Sequence, residues 1–381
     1  MNNSIEINHK ELKAFIQKAH DTKVSLNLTG TVGIGKSIAV LEKAIELAKI
    51  EKREFIDWNR VDKEMKNKVM ENPEQYFLFM DIRLSQKDST DLQGLPNVNG
   101  ITVEWLVNNW LYVLTNPNTK GIVFFDEFNL APRSIQASAY QIIRDKCMGD
   151  VKISDGVCII SAGNTLEDRA NVFDMAKPLC NRFIHATLSP PDVEEWSDWA
   201  MDNDIDNRII AYLQYKPNHL FLFNADSPEN AFPTPRAWAE FVSPLIKGLN
   251  HNDKLFQKFV ASAVGSGVAV EFTAFQRLTD TIDFKDILAN PSSIKKIEEF
   301  DVQWSLVALV NEWFDKNANK QGLEKFCDII QYLPPEFAIL CLRNARKKHK
   351  KAMTGINNIK IWKTKLVDEY GKFLLPENYQ G

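Results

Sequence analysis

The chain lacks long hydrophobic runs: none in its 381 residues approaches the roughly 18 residues that a transmembrane helix needs. Its first residues also lack the basic and then apolar layout of a secretion signal. The formal net charge is only −4, which does not mark the whole chain as a nucleic-acid binder. These features lead us to expect a cytoplasmic protein without a membrane partner.

Cysteine is sparse, and its spacing follows no known pattern. The five cysteines lie far apart, with an odd total and no Cys-x-x-Cys pair; they are Cys147, Cys158, Cys180, Cys327 and Cys341. Neither a disulfide framework nor a zinc site is supported, so we expect reduced thiols. Hydrophobic residues at 44% and charged residues at 25% indicate an ordinary globular protein, long enough for two or three domains.

A glycine-rich loop between a predicted strand and a predicted helix has the residue types of a phosphate-binding site. The loop residues are Gly30, Thr31, Val32, Gly33, Ile34, Gly35, Lys36 and Ser37. Glycines let the backbone turn around an anion and direct N–H groups at it, and the helix adds the positive end of its dipole. Lys36 then reaches the β- and γ-phosphates, and the Ser37 hydroxyl binds magnesium. A glycine-rich loop alone could be a chance turn, but Gly-x4-Gly-Lys-Ser in this setting is specific.

A second motif is the pair of acids Asp126 and Glu127 after four apolar residues, 122–125. In a phosphate-loop sheet such a strand carries its carboxyl end next to the loop. Asp126 would hold Mg²⁺ directly or through water, and Glu127 would orient and deprotonate the attacking water. The alternative interpretation is a strand end with two solvated acids.

Asn164 follows another apolar run, residues 157–161. It is expected at the same edge of the sheet as Asp126, where its amide could hold the lytic water against the γ-phosphate. An asparagine after a strand is also a common turn former. Gly149 and Asp150, upstream of this strand, lie between short β-prone pieces and predict a hairpin turn.

Five short apolar runs predict the strands of a parallel sheet. They are residues 24–28, 76–84, 122–125, 157–161 and 183–188, and helix-like segments lie between most of them. Near-continuous apolar runs are typical of strands buried on both faces. The composition shifts after Pro190 and Pro191, where a domain boundary is predicted, and the rest of the chain is helix-like.

Composition alone assigns three further segments. Residues 51–75 are highly charged and predict a short helix or a surface insertion, more a solvated connector than a functional contact. Residues 85–100 predict a polar loop at the carboxyl end of a strand, where ligands or partners are met. Trp105, Trp110 and Leu111 are predicted to lie in a helix.

Residues 343–351 form the one dense basic cluster, with six Lys and Arg in nine positions. The first interpretation is a solvated helix face, and the second is a patch that contacts phosphates. Steeply salt-dependent binding to DNA would favour the second interpretation.

The order of the phosphate loop, FFDEFNLAP, AGNT, LCNRF and TPRAW resembles that of the AAA+ ATPases, in particular the MoxR-like branch, including versions in tailed bacteriophages. There the acidic strand runs into Asn-x-Ala-Pro, matched here by Asn129-Leu-Ala-Pro132. The resemblance covers roughly residues 5–250. It implies an α/β P-loop NTPase with a five-stranded parallel sheet in residues 1–190 and a helical lid in 191–250. The resemblance does not cover residues 251–381, where helix-like segments separated by polar turns predict a C-terminal helical extension.

The resemblance also implies roles for single residues. The phosphate loop is similar to Walker A, Asp126 with Glu127 to Walker B, and Asn164 to the sensor-1 residue. The hairpin around Gly149 is similar to one that precedes sensor 1, and the 85–100 loop is expected to approach a central pore.

Two arginines complete the implied site. Arg182 occupies the place of the arginine finger, which reaches the γ-phosphate bound by the neighbouring subunit, and Arg236 resembles the sensor-2 arginine of the lid. Arg169 competes with Arg182 for the finger role, and Arg144 is a weaker rival. For each arginine the alternative is a surface salt bridge.

The resemblance implies an ATPase that uses ATP and Mg²⁺ in the cytoplasm of a bacterial cell or a phage-infected host. It is expected to act as a homo-oligomeric ring, with a hexamer as the expected form, that remodels a client protein, often one with a von Willebrand A domain. One alternative is a nucleic-acid motor or loader that uses the basic cluster 343–351. Another is a nucleotide-gated switch that hydrolyses ATP too slowly to do work.

Overall fold

The amino-terminal unit of the protein, Met1–Pro190, is built on a parallel β-sheet. The computed structural model describes residues 5–99, 102–148, 151–165, 173 and 175–374. The strands of this unit are β1 (Glu6–Ile7), β2 (Leu26–Thr29), β3 (Glu54–Asp57), β4 (Tyr76–Arg83), β5 (Leu95–Asn99), β6 (Thr102–Leu106), β7 (Lys120–Asp126), β8 (Cys147–Met148), β9 (Val151–Lys152), β10 (Val157–Gly163) and β11 (Ile184–Leu188). Its helices are α1 (His9–Thr22), α2 (Lys36–Ile50), α3 (Lys63–Glu71), α4 (Ser89–Gln93), α5 (Asn109–Leu114), α6 (Arg133–Asp145) and α7 (Lys177–Cys180).

Seven strands pair in the order β1-β11-β2-β10-β7-β4-β3, and every pairing is parallel. The α/β class and the five predicted strands are confirmed, as β2, β4, β7, β10 and β11. The expected number of strands is wrong, because β1 and β3 add one strand at each edge. Both are short, with exposed charged residues such as Glu6 and Glu54, and therefore give no apolar run in the sequence.

The region after β4 also differs from its prediction. Part of the expected polar loop 85–100 forms α4 and β5, and β5 pairs with β6 as an antiparallel hairpin. The prediction that Trp105 lies in a helix is wrong, because it lies in β6 opposite Pro96; Trp110 and Leu111 lie in α5. Polar and apolar residues alternate from Thr102 to Trp105, which favours a strand once a partner strand is available.

A second hairpin precedes β10. Strands β8 and β9 pair in antiparallel register, with Cys147 opposite Lys152. The predicted turn residues, Gly149 and Asp150, lie outside the described residues. In the charged segment 51–75, α3 is the predicted short helix, and the Asp62 side chain caps it by accepting a hydrogen bond from Met65 N at 2.8 Å.

The carboxyl-terminal unit, Pro191–Gly381, consists of helices and connecting segments, without a strand in the part that the structure describes. Its α-helices are α8 (Val193–Asp202), α9 (Asn207–Tyr215), α10 (Ser243–Ile246), α11 (Phe256–Val264), α12 (Ser266–Leu278), α13 (Phe284–Ala289), α14 (Phe300–Lys316), α15 (Lys320–Ile330), α16 (Pro335–Lys348), α17 (Lys350–Met353) and α18 (Val367–Tyr370). A π-helix, Ala237–Val242, leads directly into α10. The division of this unit into a lid and an extension at residue 250 stays a prediction.

Ion pairs hold the basic cluster 343–351 against acidic side chains of the same unit. Arg343 bonds both Glu194 and Asp198, and Lys347 lies 3.0 Å from Asp202, so that α16 is tied to α8. Lys348 and His349 both bond Asp315, at 2.6 Å each; Asp315 lies in α14. Much of the positive charge in this cluster is therefore neutralised within the fold, and less of it is left to attract phosphates.

Among the described residues, no helix is long and apolar enough to span a membrane.

Candidate nucleotide-binding site

The loop between β2 and α2 has the backbone that a phosphate-binding loop requires. Gly33 and Gly35 have φ angles of 76° and 93°, in the left-handed region where a side chain would be strained. A Cβ atom on Gly30 would lie 2.9 Å from Ile34 Cδ1 and from the Leu188 carbonyl oxygen. The N-cap of α2 is Gly35, which has no side chain to cap the N–H groups of the first turn. This arrangement suits an anion.

Lys36 is buried in the loop and joins it to the end of a neighbouring strand. Only 8% of the residue is exposed. Its Nζ donates to the carbonyl oxygens of Gly30 and Thr31, at 2.6 and 2.8 Å, and to Asn164 Oδ1 at 3.2 Å. The fold thus brings together Lys36 and Asn164, which are 128 positions apart in the sequence.

Ser37 and Asp126 also meet at this edge of the sheet. The Ser37 hydroxyl donates a hydrogen bond of 2.7 Å to Asp126 Oδ2. Two oxygen ligands at right angles around one Mg²⁺, each at 2.0–2.1 Å, lie about 2.9 Å apart, so this pair fits the ion. Within the described part of the chain, no group of three or more His, Cys, Asp or Glu could hold a metal by itself. Mg²⁺ commonly keeps waters and phosphate oxygens as its remaining ligands.

Glu127 stands just beyond β7 with its carboxylate held by a serine. The residue has a φ of 53°, in the left-handed region, where the chain leaves β7 and enters the 3₁₀ turn Phe128–Leu130. Its Oε2 accepts a hydrogen bond of 3.1 Å from the hydroxyl of Ser85, which follows β4. No sequence motif marks Ser85. Ser85 can be recognised because it follows β4, the strand next to β7, and this is known only once the strand order is known.

His9, at the start of α1, is a second residue of the site that no sequence motif marks. Its Nε2 lies 2.8 Å from the Ile34 carbonyl oxygen, inside the phosphate loop. A Cβ atom on Gly35 would lie 3.5 Å from the same nitrogen. The imidazole therefore packs against the loop at Ile34 and Gly35. Nothing in the local sequence around His9 indicates this contact.

Asp81, in β4, is a carboxylate in an unfavourable environment. Its Oδ1 is buried and has no hydrogen-bond partner among the described residues. Burial raises the pKa of Asp81 to about 6, and the charge of Asp126 adds to the effect. In the folded protein the ionised carboxylate is therefore disfavoured, whereas in the unfolded chain it ionises near its ordinary value of 3.8. This penalty is absent at low pH, grows as the pH rises from about 4 to about 6, and is constant above that.

We expect Asp81→Asn to stabilise the protein at pH 7.5 and not at pH 4, because the amide keeps the shape of the side chain and removes its charge. After allowance for solvent screening, a gain of roughly 1 kcal/mol, or about 2–4 °C in Tm, is expected. The measurement is thermal unfolding at both pH values without nucleotide or Mg²⁺. Asp155→Asn is the control, since the Asp155 side chain is 76% exposed and lies 3.8 Å from Lys152, so that this change should give no such gain. Equal effects of Asp81→Asn at both pH values would contradict the assignment.

Arg182 lies away from the phosphate loop of its own chain. Strand β11 pairs in parallel with β2, with Ile184 opposite Leu26. Arg182 precedes β11 and therefore lies towards the amino-terminal end of the strands, whereas the loop follows their carboxyl-terminal end. Its side chain is exposed, and its hydrogen bond to the Tyr140 hydroxyl lowers the pKa of that hydroxyl.

The other arginines with implied roles are in different settings. Arg144, the weaker rival, pairs with Asp145 at 3.2 Å and lies over the Tyr140 ring at 6.0 Å. Arg169, the nearer rival, lies outside the described residues. Arg236, in the carboxyl-terminal unit, is exposed and lies 3.8 Å from Glu240, one helical turn further on. Pro235, just before it, lies in the first turn of that helix, as predicted.

The fold and the loop together define an α/β protein of the phosphate-loop fold class. No protein-family model matches the chain, and no curated protein matches it. Its fold is similar to three solved structures among others. PCH-2 of C. elegans is 13% identical, with 81% of this chain and 70% of that chain covered and a TM-score of 0.31. NtrX from Brucella abortus in complex with ADP is 14% identical, with 81% and 64% covered and a TM-score of 0.35.

The third structure is the ORC2 protein of Aeropyrum pernix in ADPNP-ADP complexes, which is 9% identical, with 98% and 96% covered and a TM-score of 0.35. The match with NtrX spans slightly less than two thirds of the length of the NtrX chain. Because identity and TM-score are low in all three cases, the functional conclusion rests on the site itself.

Proposed function

We propose that this protein is a Mg²⁺-dependent ATPase of the AAA+ class that works as a ring and remodels a partner protein. The observation that carries the proposal is the 2.7 Å hydrogen bond from Ser37 to Asp126. It joins the phosphate loop to the acidic strand end, so that the two expected Mg²⁺ ligands converge beside Lys36. A glycine turn or a solvated strand end would not require this convergence.

In the proposed mechanism, the N–H groups of the loop and the start of α2 bind the phosphates, and Lys36 leaves its carbonyl partners to bond the β- and γ-phosphates. Ser37 and Asp126 would hold Mg²⁺, which would neutralise negative charge on the phosphates. Glu127 accepts the proton of the attacking water. Asn164 orients that water through its amide, which lies within reach of Lys36. The γ-phosphoryl group then transfers in line to water as its bond to the bridging oxygen of ADP breaks, so that ADP and phosphate are released.

The proposed ring follows from Arg182. An arginine that cannot reach its own loop, but is exposed at the surface, suits delivery to a neighbouring subunit. Arg236 in the helical unit would sense the nucleotide, as the resemblance implies. We assign the partner contact to the β5–β6 hairpin, because Val98, Trp105 and Leu106 are 68%, 43% and 60% exposed there. Exposed apolar side chains in such a group are typical of protein-binding surfaces.

The alternative of a nucleic-acid motor is less favoured. The basic cluster 343–351 is its local support, and Arg343, Lys347 and Lys348 of that cluster are engaged with carboxylates. The alternative of a slow switch predicts near-zero ATP turnover in the assembled protein, whereas the proposed motor predicts sustained turnover.

We expect the specific ATPase activity to rise with protein concentration as the ring assembles, because each site needs a residue from a neighbour. The measurement is the rate of phosphate release over a dilution series, with mass photometry of the same samples in ATP and Mg²⁺. Activity per subunit that stays constant while particles change from monomers to rings would contradict the trans-acting site. Near-zero turnover in fully assembled rings would favour the switch.

A further inference from the structure

The side chain of Asn129 forms a two-way hydrogen bond with the backbone of Asn164. Its Nδ2 donates to the Asn164 carbonyl oxygen at 2.7 Å, and its Oδ1 accepts from the Asn164 N–H at 3.1 Å. Asn129 lies in the 3₁₀ turn Phe128–Leu130 that follows β7. A single amide thus satisfies both backbone groups of the residue whose side chain contacts Lys36.

The sheet explains why these two groups need a partner. The backbone pairing of β7 with β10 ends at Phe125 and Ser161, because β7 turns away after Asp126. Beyond that point Asn164 has no strand beside it on the β7 side. Partly buried backbone N–H and C=O groups left unpaired cost free energy. The Asn129 amide directs one N–H and its oxygen at these two groups, as the backbone of a neighbouring strand would, and so it continues the ladder.

The neighbouring glycine makes this contact possible. A Cβ atom on Gly163 would lie 2.6 Å from Asn129 Oδ1, closer than real side chains approach. The backbone of Asn129 is itself anchored, since its carbonyl oxygen accepts a hydrogen bond of 2.7 Å from Phe173 N. The turn after β7 is therefore held against the end of β10 by the side chain of Asn129, and against Phe173 by its backbone.

We propose that Asn129 is a positioning residue for ATP hydrolysis, an inference that rests on the proposed function. It fixes the backbone of Asn164, whose Oδ1 lies 3.2 Å from Lys36 Nζ, and it does so only two residues after Glu127. Glu127, the expected general base, and Asn164, which is expected to orient the water, are thereby held in a fixed position relative to each other. Small displacements of such groups lower the rate without requiring any change in nucleotide affinity.

The same sheet contains a matched pair that can serve as control. Asn59, just after β3, donates to the Asp81 carbonyl oxygen at 2.8 Å and accepts from the Asp81 N–H at 3.0 Å. Asn59 therefore continues a strand ladder with the same two bonds. It differs from Asn129 in that the backbone it holds belongs to Asp81, which has no proposed role in hydrolysis.

The test is a double-mutant cycle on the full chain. We expect Asn129→Ala to lower kcat about 10- to 100-fold and to change KM for ATP by no more than about twofold. In the Asn164→Ala background, the same change should lower kcat by no more than about twofold, because Asn129 acts through the side chain already removed. Asn59→Ala should lower Tm by a similar amount and leave kcat near that of the wild type. Asn129→Asp, which keeps the shape and loses the donor, repeats the cycle if the alanine variant does not fold.

Each other outcome overturns the inference. If the effects of Asn129→Ala and Asn164→Ala multiply in the double variant, Asn129 does not act through Asn164. If Asn59→Ala lowers kcat as much as Asn129→Ala does, the effect is general to the sheet. If the assembled wild-type protein releases no phosphate, the proposed function fails together with the inference, which separates that failure from the first two.

Discussion

Replacing Glu127 with glutamine is expected to abolish most ATP hydrolysis and to leave nucleotide binding intact. The glutamine amide keeps the size of the side chain, and its oxygen can still accept the Ser85 hydrogen bond seen at 3.1 Å. It cannot take up the proton of the attacking water. General-base catalysis of this kind is worth about 10²–10⁴-fold, so kcat should fall by that factor. Phosphate release and the affinity for a fluorescent ATP analogue measure the two quantities.

Glu64→Gln is the matched control for this experiment. Glu64 has a side chain that is 78% exposed and pairs with Lys68 on the surface of α3, so its loss should change neither quantity. A Glu127→Gln protein that hydrolyses ATP at more than about a tenth of the wild-type rate would show that another group takes the proton. A parallel loss of nucleotide affinity would instead indicate damage to the loop.

Replacing Arg182 with alanine is expected to remove hydrolysis as completely, although Arg182 lies away from the loop of its own chain. An arginine that reaches a γ-phosphate from a neighbouring subunit is worth about 10³–10⁵ in turnover. Assembly in ATP, followed by mass photometry, should show rings of unchanged size. Arg144→Ala is the control, because Arg144 also contacts Tyr140 but pairs with Asp145. Activity retained by Arg182→Ala and lost by Arg144→Ala would transfer the finger role to Arg144.

Mixing two inactive variants tests whether Arg182 acts in trans. Lys36→Ala subunits cannot bind the phosphates but still carry Arg182, and Arg182→Ala subunits carry an intact loop. In a randomly mixed ring about a quarter of the interfaces then combine an intact loop with an intact arginine. We therefore expect partial activity in the mixture and none in either variant alone. A mixture without activity, although both variants co-assemble, would show that Arg182 does not complete a neighbour's site.

Much of the site could be predicted because its motifs are local. The phosphate loop needs glycines at particular backbone angles followed by Lys36 and Ser37, and these requirements are written in consecutive residues. Asp126 and Glu127 are equally visible, because they follow a buried apolar strand. Ser85, His9 and Asp81 could not be found in this way, since each matters only through a strand or helix that the fold brings beside it.

The basic cluster 343–351 is visible in the sequence, but the carboxylates that pair with it are not. In the sequence, residues 343–351 present six positive charges, and two interpretations of them stay open. Carboxylates from α8 and α14 neutralise several of these charges, and those residues, Glu194, Asp198, Asp202 and Asp315, are distant in the chain. Charge in a sequence becomes available to a partner only where the fold leaves it unpaired.

The sequence by itself determined the α/β class, the phosphate loop and the acidic strand end, because periodic burial and glycine-dependent turns depend on neighbouring residues. Tertiary structure alone decided the two added edge strands, the hairpin that contains Trp105, and the meeting of Lys36 with Asn164. It also decided the clamp of Asn129 on the end of β10. These features depend on which strands lie side by side, and strand order follows from long-range burial that no local pattern encodes.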